Sequence, residues 1–529
     1  MHSHSPKANA DGVGHKGGNI LRPVPATVWA AAAAFGVYLA ELNNFLRFEQ
    51  YPLLRLEVFY AVVGGALAAV LFGFVYFAAE YTGKLPSRII RALLVAALVA
   101  YALALVTDGP YAKAAGLLSF LVALLAGKEL LRPIAIMSCA VFVAASLGIG
   151  QQTQSQFAVV GARKPSTTTR PAIVHVILDQ HLGVEGFPPS DPNTPKVKQA
   201  IKSYYTSHGF KLFGGAYSQY IITWRSIPSI LNFGGPNEAK ASAYFKMLKR
   251  AGYRINVLES GWIDYCSALV DQCTTYHQQS FTPVATAPLN ASQKAVLIVT
   301  KMVPKSLLEA VSKTSVALQH AGYDVSTPVA ARNLSPVALN GLAALQRLQQ
   351  DVADLEPGQL YFAHILLPHQ PFELGSDCSV TPVGQWLEAE PGYPMAARQN
   401  NYDQQVLCTL RAVERVVQAI DRSPAGRDAV VIVHGDHGSR IGDFRPMTET
   451  TGKFGDDALV AGYSTLFAVR APAIRPGYDN RHFPVVDLFR ELAASDWRRT
   501  GSHPVVRPWV NIIDARFVDR SRQNLPMSW

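Results

Sequence analysis

The 529-residue chain predicts an α/β protein with an N-terminal transmembrane anchor of about five helices, followed by a domain whose mostly parallel central sheet is sandwiched by helices. Three observations carry this. Long apolar stretches recur early in the chain and not later. Beyond them, buried-type strands alternate with amphipathic helices. The chain is 49% hydrophobic and 16% charged, and the excess apolar content lies in the first 152 residues.

The first 25 residues (MHSHSPKANADGVGHKGGNILRPVP) are polar and read as a disordered cytoplasmic tail. Apolar stretches follow at about 26–45, 58–79, 89–107, 111–127 and 133–152, most of them near the ~20 residues that a helix needs to span a bilayer. Their repetition without a small-residue cleavage site excludes a simple signal peptide. Lys7, Lys16 and Arg22 precede the first stretch, Lys84, Arg88 and Arg91 follow the second, and Lys128 and Arg132 follow the fourth. By the positive-inside rule the N terminus is cytoplasmic, and five crossings place everything after residue 152 outside the membrane. Residues 153–170 read as a linker and 171–529 as the extracytoplasmic domain. The net charge of +10 includes this topogenic charge; the rest suits anionic lipid or phosphate-bearing substrates, and no nucleic-acid-binding motif is present.

In the outer domain, AIVHVILD (172–179) is a continuous apolar run, as a strand buried on both faces requires. AYFKMLKRAG (243–252) reads as a helix closed by Gly252, and YRINVLE (253–259) as the next strand. GQLYFAHILL (358–367) is another buried strand. In 401–422, Val406, Leu410, Val413, Val417 and Ile420 share one helical face. VVIVHG (430–435), YSTLFAVRAP (463–472) and VVDLFRELAA (485–494) continue the alternation expected of a parallel sheet. Residues 293–322 read as an amphipathic insertion.

Cys266, Cys273, Cys378 and Cys408 all lie in the outer part, where disulfides persist. Of three possible pairings, Cys266–Cys273 (a short local loop) with Cys378–Cys408 (a loop tied to a helix) is favoured. A zinc knuckle is the alternative, and the spacings do not match its C-x2-C pattern.

Chemistry-bearing residues stand at the strand ends. VILDQHLG delivers Asp179 after the first strand. IITWRSIPSILNFGG (221–235) sets Thr223 and Ser226 at a helix start, where a hydroxyl serves either as a simple N-cap or beside a bound oxyanion. HILLPHQPF carries His364 and His369, and GDHGSRI carries Asp436, His437 and Arg440, the last able to meet a phosphoryl or sulfuryl oxygen. Two carboxylates, a hydroxyl and an imidazole make a donor set that suits zinc or manganese, with magnesium and calcium as further options.

This order of apolar strand–Asp, Thr-x-x-Ser-x-Pro-Ser helix, His-x4-His and Asp-His-Gly resembles the alkaline-phosphatase superfamily. With the spans, VLESGWIDYC, HILLPHQPFELGSDC and the CTL helix, the chain resembles membrane-bound sulfatase-like hydrolases and transferases, similar to phosphoethanolamine transferases and lipoteichoic acid synthases. The resemblance covers about residues 170–495 and implies metal ligands Asp179, Thr223, Asp436 and His437. It implies Thr223 as nucleophile, with Ser226 in reserve, and His364 and His369 as substrate or leaving-group contacts. Arg440, Gln180 and Arg225 complete the expected substrate contacts. Departures are Asp179 where the transferases carry Glu, no further histidine soon after Asp-His-Gly, and Ile230 where a formylglycine sulfatase motif has Arg.

The implied activity is transfer of a phosphoethanolamine- or phosphoglycerol-like headgroup from a membrane phospholipid, through a threonine intermediate, to an envelope glycan or lipid. The alternatives are a phosphoric or sulfuric ester hydrolase of the same fold and a non-catalytic, lipid-sensing scaffold.

Overall fold

The computed structural model describes residues 25–49, 51–104, 136, 156–162, 168–235, 238–302, 335–387, 394–439, 441, 454–513 and 519–526. The N-terminal tail, the fourth and fifth expected spans, Cys139 and most of the 293–322 insertion lie outside the described residues. The insertion's beginning is the helix Ala291–Met302, with Leu297, Ile298 and Met302 buried. Contacts divide the chain into two units, Met1–Asn43 with Val62–Ile149, and Asn44–Ala61 with Gly150–Trp529.

In the first unit, segments of the helices Ala26–Phe48, Leu56–Ala78 and Lys84–Ala104 pack through Ala30, Tyr76, Ala92 and Val95. Small residues permit this approach: a Cβ on Gly65 would sit 2.1 Å from the Tyr38 ring. Among the described residues one helix, Leu56–Ala78, is long and apolar enough to cross a membrane, against an expectation of five of which the fourth and fifth lie outside those residues. The first stretch is helical but is interrupted by Glu41, Asn43 and Asn44; the third opens with Lys84, Arg88 and Arg91.

The second unit is built on a nine-stranded sheet. Its strands are β1 (Phe157–Gly161), β2 (Ile173–Leu178), β3 (Lys211–Tyr217), β4 (Arg254–Glu259), β5 (Gln272–Tyr276), β6 (Gln359–Ile365), β7 (Val430–Gly435), β8 (Phe467–Arg470) and β9 (Gly477–Pro484). They lie in the order β1-β5-β4-β6-β2-β7-β8-β3-β9. All run parallel except β1 and β8. β1 lies within the stretch expected to be a linker, where its ladder to β5 draws it into the sheet edge. β3 (KLFGGAY) escaped the sequence reading because it holds no β-branched residue and two glycines interrupt it. They answer to packing, since a Cβ on Gly215 would lie 2.6 Å from the Arg481 carbonyl.

Every residue of β2 is buried, as its apolar run requires of a central strand. Ile173 and Ile177 pack with Ile227 and Leu231 of the helix Thr223–Leu231, Tyr244 and Phe245 of Ala243–Arg250, and Phe489 and Leu492 of Val485–Ala494. The alternate residues Val174, Val176 and Leu178 are equally buried. The helix Val337–Asp351 packs on β6 and against the long helix Met395–Arg422. Ser242 caps Ala243–Arg250 by accepting from the Phe245 N–H, and Gly252 follows it at φ +83°. Both favoured disulfides are present, Cys266–Cys273 and Cys378–Cys408, with Cα separations of 5.8 and 4.9 Å.

Residues 44–61 belong to this unit. Phe45 meets Phe281 edge-on at 5.0 Å, and the buried Glu49 carboxylate accepts from the Phe281 N–H at 2.8 Å.

The long helix buries an acid. Asp403 accepts from Gln399 at 2.8 Å, and burial together with the facing Asp191 carboxyl pushes its pKa up to about 8. A carboxyl that is protonated when folded and ionised when unfolded loses stability as pH rises between its unfolded value, about 3.9, and its folded one. Asp403→Asn, which mimics the protonated acid, is therefore expected to match the wild type near pH 4. It gains on it by up to about 1.4 kcal/mol per pH unit on the way to pH 8. Chemical denaturation at a series of pH values measures this, and parallel curves for the two proteins contradict it.

Candidate active site

The register of three parallel strands creates the site. Leu178 of β2 pairs with Ile365 of β6 on one side and Gly435 of β7 on the other. The next residues, Asp179 and Asp436, therefore leave the sheet side by side at its carboxyl end, where open α/β sheets gather ligands. Both are fully buried.

Asp436 Oδ1 accepts from the backbone N–H groups of Gln180 (3.0 Å) and His437 (2.8 Å), which fixes the carboxylate across the two strand ends. His437 Nδ1 engages the Gly438 carbonyl at 2.9 Å, so Nδ1 carries the hydrogen and Nε2 presents its lone pair. Nε2 lies 3.2 Å from Asp436 Oδ2 and 4.0 Å from Asp179 Oδ1.

Thr223 completes the cluster from the first position of its helix. Its Oγ1 donates to Asp179 Oδ2 at 3.3 Å and lies 3.4 Å from His437 Nε2. The cap position belongs to Ile222, and no side chain caps this helix, so the N-cap role open for Thr223 is not the one it plays. Ser226 donates to the Asp436 carbonyl at 2.5 Å and shares a 2.8 Å hydrogen bond with Ser218. Its hydroxyl is committed to holding the strand end. Thr223 alone of the two faces the carboxylates, at the positive end of the helix dipole.

This donor set fits a divalent cation. Asp179, Asp436 and His437 each bring a donor atom within 4.8 Å of the others, and Asp179 Oδ1 is buried with no hydrogen-bond partner. Tetrahedral ligands about 2.0–2.1 Å from a zinc ion lie about 3.3 Å from one another, and the observed separations run from 3.2 to 4.0 Å. The Gly438 carbonyl on His437 Nδ1 supplies the outer support typical of a ligating imidazole. The zinc-knuckle alternative fails because Cys266 and Cys273 are joined to each other.

His364 is fully buried at the end of β6, with Nε2 3.5 Å from Asp179 Oδ2. Burial raises the Asp179 pKa, but His369, His364 and His437 together outweigh it and hold the carboxyl well below the usual range. His369 sits on the loop after β6, its Nδ1 against the Gln370 carbonyl and its ring 4.9 Å from Trp262, edge to face. Gln180 is buried and contributes through its backbone N–H, while Arg225 is half-buried on the helix that carries Thr223. Arg440 lies outside the described residues.

Several residues that hold the site escaped the sequence reading. Tyr402 OH donates to the Gln180 carbonyl and accepts from the Leu182 N–H, both at 2.8 Å, pinning the turn after Asp179. Tyr276 OH bridges the His364 carbonyl and the Leu366 N–H. Trp224 and Trp262, beside Thr223 and His369, keep exposed rings. No short motif marks Tyr402 or Tyr276, since each reaches the site from an element distant in sequence.

No family model matches the chain, and no curated protein matches it. Among solved structures it is similar to the C-terminal periplasmic domain of EcEptC from Escherichia coli, at 12% identity and a TM-score of 0.38, over 70% of this chain and 95% of that one. A phosphonate monoester hydrolase of Agrobacterium radiobacter is similar at 13% identity and 0.37, over 65% and 80%. A protein in the alkaline phosphatase superfamily from Vibrio parahaemolyticus is similar at 13% and 0.36, over 65% and 74%. Likenesses at these scores carry no chemistry across; the donor set has to stand on its own geometry.

Asp436→Asn keeps the shape of the carboxylate and removes its charge. It is expected to weaken zinc binding by more than roughly a hundredfold, read by calorimetry on the purified protein. Unchanged affinity would show that these donors are not the metal site.

Proposed function

We propose that the chain is a membrane-anchored, metal-dependent transferase of the alkaline-phosphatase superfamily, carrying a phospho-alcohol headgroup from a phospholipid to an envelope glycan or lipid. One observation carries the reading: the Thr223 hydroxyl converges with Asp179 and His437 at 3.3 and 3.4 Å. Asp179, Thr223, Asp436 and His437 would hold the cation, which supplies Lewis-acid stabilisation and a lowered hydroxyl pKa.

Thr223 Oγ1 gives its proton toward Asp179 Oδ2 and forms a bond to the donor's phosphorus. The phosphorus–oxygen bond to the lipid breaks, and the departing oxygen takes a proton from His369. The acceptor's hydroxyl then attacks the same phosphorus as its proton passes to His369, the bond from phosphorus to Thr223 Oγ1 breaks, and Oγ1 recovers its proton from Asp179, so that one displacement is split into two. Gln180, Arg225 and Arg440 are assigned to the non-reacting part of the substrate. His364 braces Asp179 from within.

Membrane anchoring has two supports. The helix Leu56–Ala78 leaves large apolar side chains such as Leu67, Val70, Leu71 and Phe74 exposed, as a lipid-facing helix does. Residues 44–61, which hold the end of the first helix, the start of the second and the loop joining them, group with the sheet-containing unit, where Glu49 and Phe45 meet Phe281. The N terminus is assigned to the cytoplasmic side from the Lys and Arg distribution.

Intact and peptide mass spectrometry of the wild type beside Thr223→Ala tests the chemistry. A headgroup-sized adduct on the Thr223 peptide, absent from the variant, is expected. Ester hydrolysis without an adduct would favour the phosphoric or sulfuric ester hydrolase. Loss of both turnover and metal binding in the wild type would leave the scaffold.

A further inference from the structure

We infer that Gln405, on the long helix Met395–Arg422, is the positioning residue for His369. The inference rests on the reading of His369 as a group that meets the substrate. Gln405 is fully buried. Its Nε2 donates to the His369 carbonyl at 2.8 Å and the Pro368 carbonyl at 3.1 Å, with the Pro371 carbonyl at 3.5 Å. Its Oε1 accepts from the Glu373 N–H at 2.8 Å and the Leu374 N–H at 3.2 Å. A carboxamide has two N–H donors and two acceptor lone pairs. All four are spent on one segment, residues 368–374.

That segment needs an outside template. Pro368 and Pro371 bring no N–H groups, so the backbone around His369 cannot close a regular ladder. Buried carbonyl and N–H groups left unpaired are costly, and Gln405 answers them from a rigid helix. The loop is clamped at neighbouring points of the same helix: Gln404 accepts from the Ser376 N–H at 3.2 Å, and Cys408 is bonded to Cys378. Gln405 differs from these in holding the backbone carbonyl of His369 itself.

Gln405→Met preserves length and volume and removes every one of these hydrogen bonds. Its test is a double-mutant cycle with His369→Ala in the metal-loaded full-length protein, using bis(p-nitrophenyl) phosphate as the probe. Gln405→Met is expected to lower kcat by roughly tenfold to a hundredfold, with KM changed less than about threefold and zinc affinity unaltered. Combined with His369→Ala, it is expected to add no further loss. A Gln405→Met enzyme as fast as wild type, or an effect that adds fully to that of His369→Ala, overturns the inference. Should Gln405→Met not fold, Gln405→Glu, which keeps the two accepting interactions, is read in the same cycle.

A second readout needs no turnover. Carbethoxylation of His369 by diethyl pyrocarbonate, followed by peptide mass spectrometry, is expected to speed up at least about fivefold in Gln405→Met relative to His208 as the internal reference. Equal rates overturn the positioning role even where the wild type does not cleave the probe. A wild type inactive on the probe with a released His369 instead counts against the functional reading alone.

Discussion

The site depends on an electrostatic constraint set by β-sheet register. In-register parallel pairing of β2 with β7 forces Asp179 and Asp436 to emerge together, both buried, at the carboxyl end of the sheet. Two neighbouring carboxylates in a desolvated place repel each other and need compensating positive charge or donors. The fold answers with backbone N–H groups on Asp436 and with imidazoles around Asp179. A cation suits what remains. The helix that carries Thr223, the loop after β6 and the turn after β2 are all arranged around that pair.

The long helix Met395–Arg422 is the counterpart of this arrangement on the structural side. Tyr402 pins the turn after Asp179, Gln405 and Cys408 hold the loop after β6, and Arg398 donates to the Ile441 carbonyl just beyond the Asp-His-Gly turn. One rigid element thus touches three loops that carry site residues. Preorganisation of this kind lets catalytic groups sit on loops without being loose. It also explains why so many polar residues of an amphipathic helix are buried.

How much of this could be read in advance differs from residue to residue. Asp179, Asp436 and His437 were legible because they follow uninterrupted apolar strands, where a charged residue marks an exit from the sheet. Thr223 and Ser226 could not be separated by sequence, since both stand near a helix start; the 2.5 Å bond from Ser226 to the Asp436 carbonyl separates them. β1 and β3 were invisible for opposite reasons, one a short edge strand in a polar stretch and the other broken by glycines that its neighbour demands. The anchor was overread among the described residues, because apolar length alone ignores Glu41 and the two asparagines after it.

By itself, the sequence determined the α/β alternation, the acidic and imidazole residues at the strand ends and the pairing of cysteines favoured by loop length, because each of these is written in local apolar period or short spacing. Only the tertiary structure decided which hydroxyl faces the carboxylates, which histidine lies against Asp179, and that Gln405 holds the loop of His369 and Tyr402 the turn after Asp179. Those outcomes depend on register between strands far apart in the chain and on a helix reaching across to satisfy buried backbone groups. Local sequence carries no record of either.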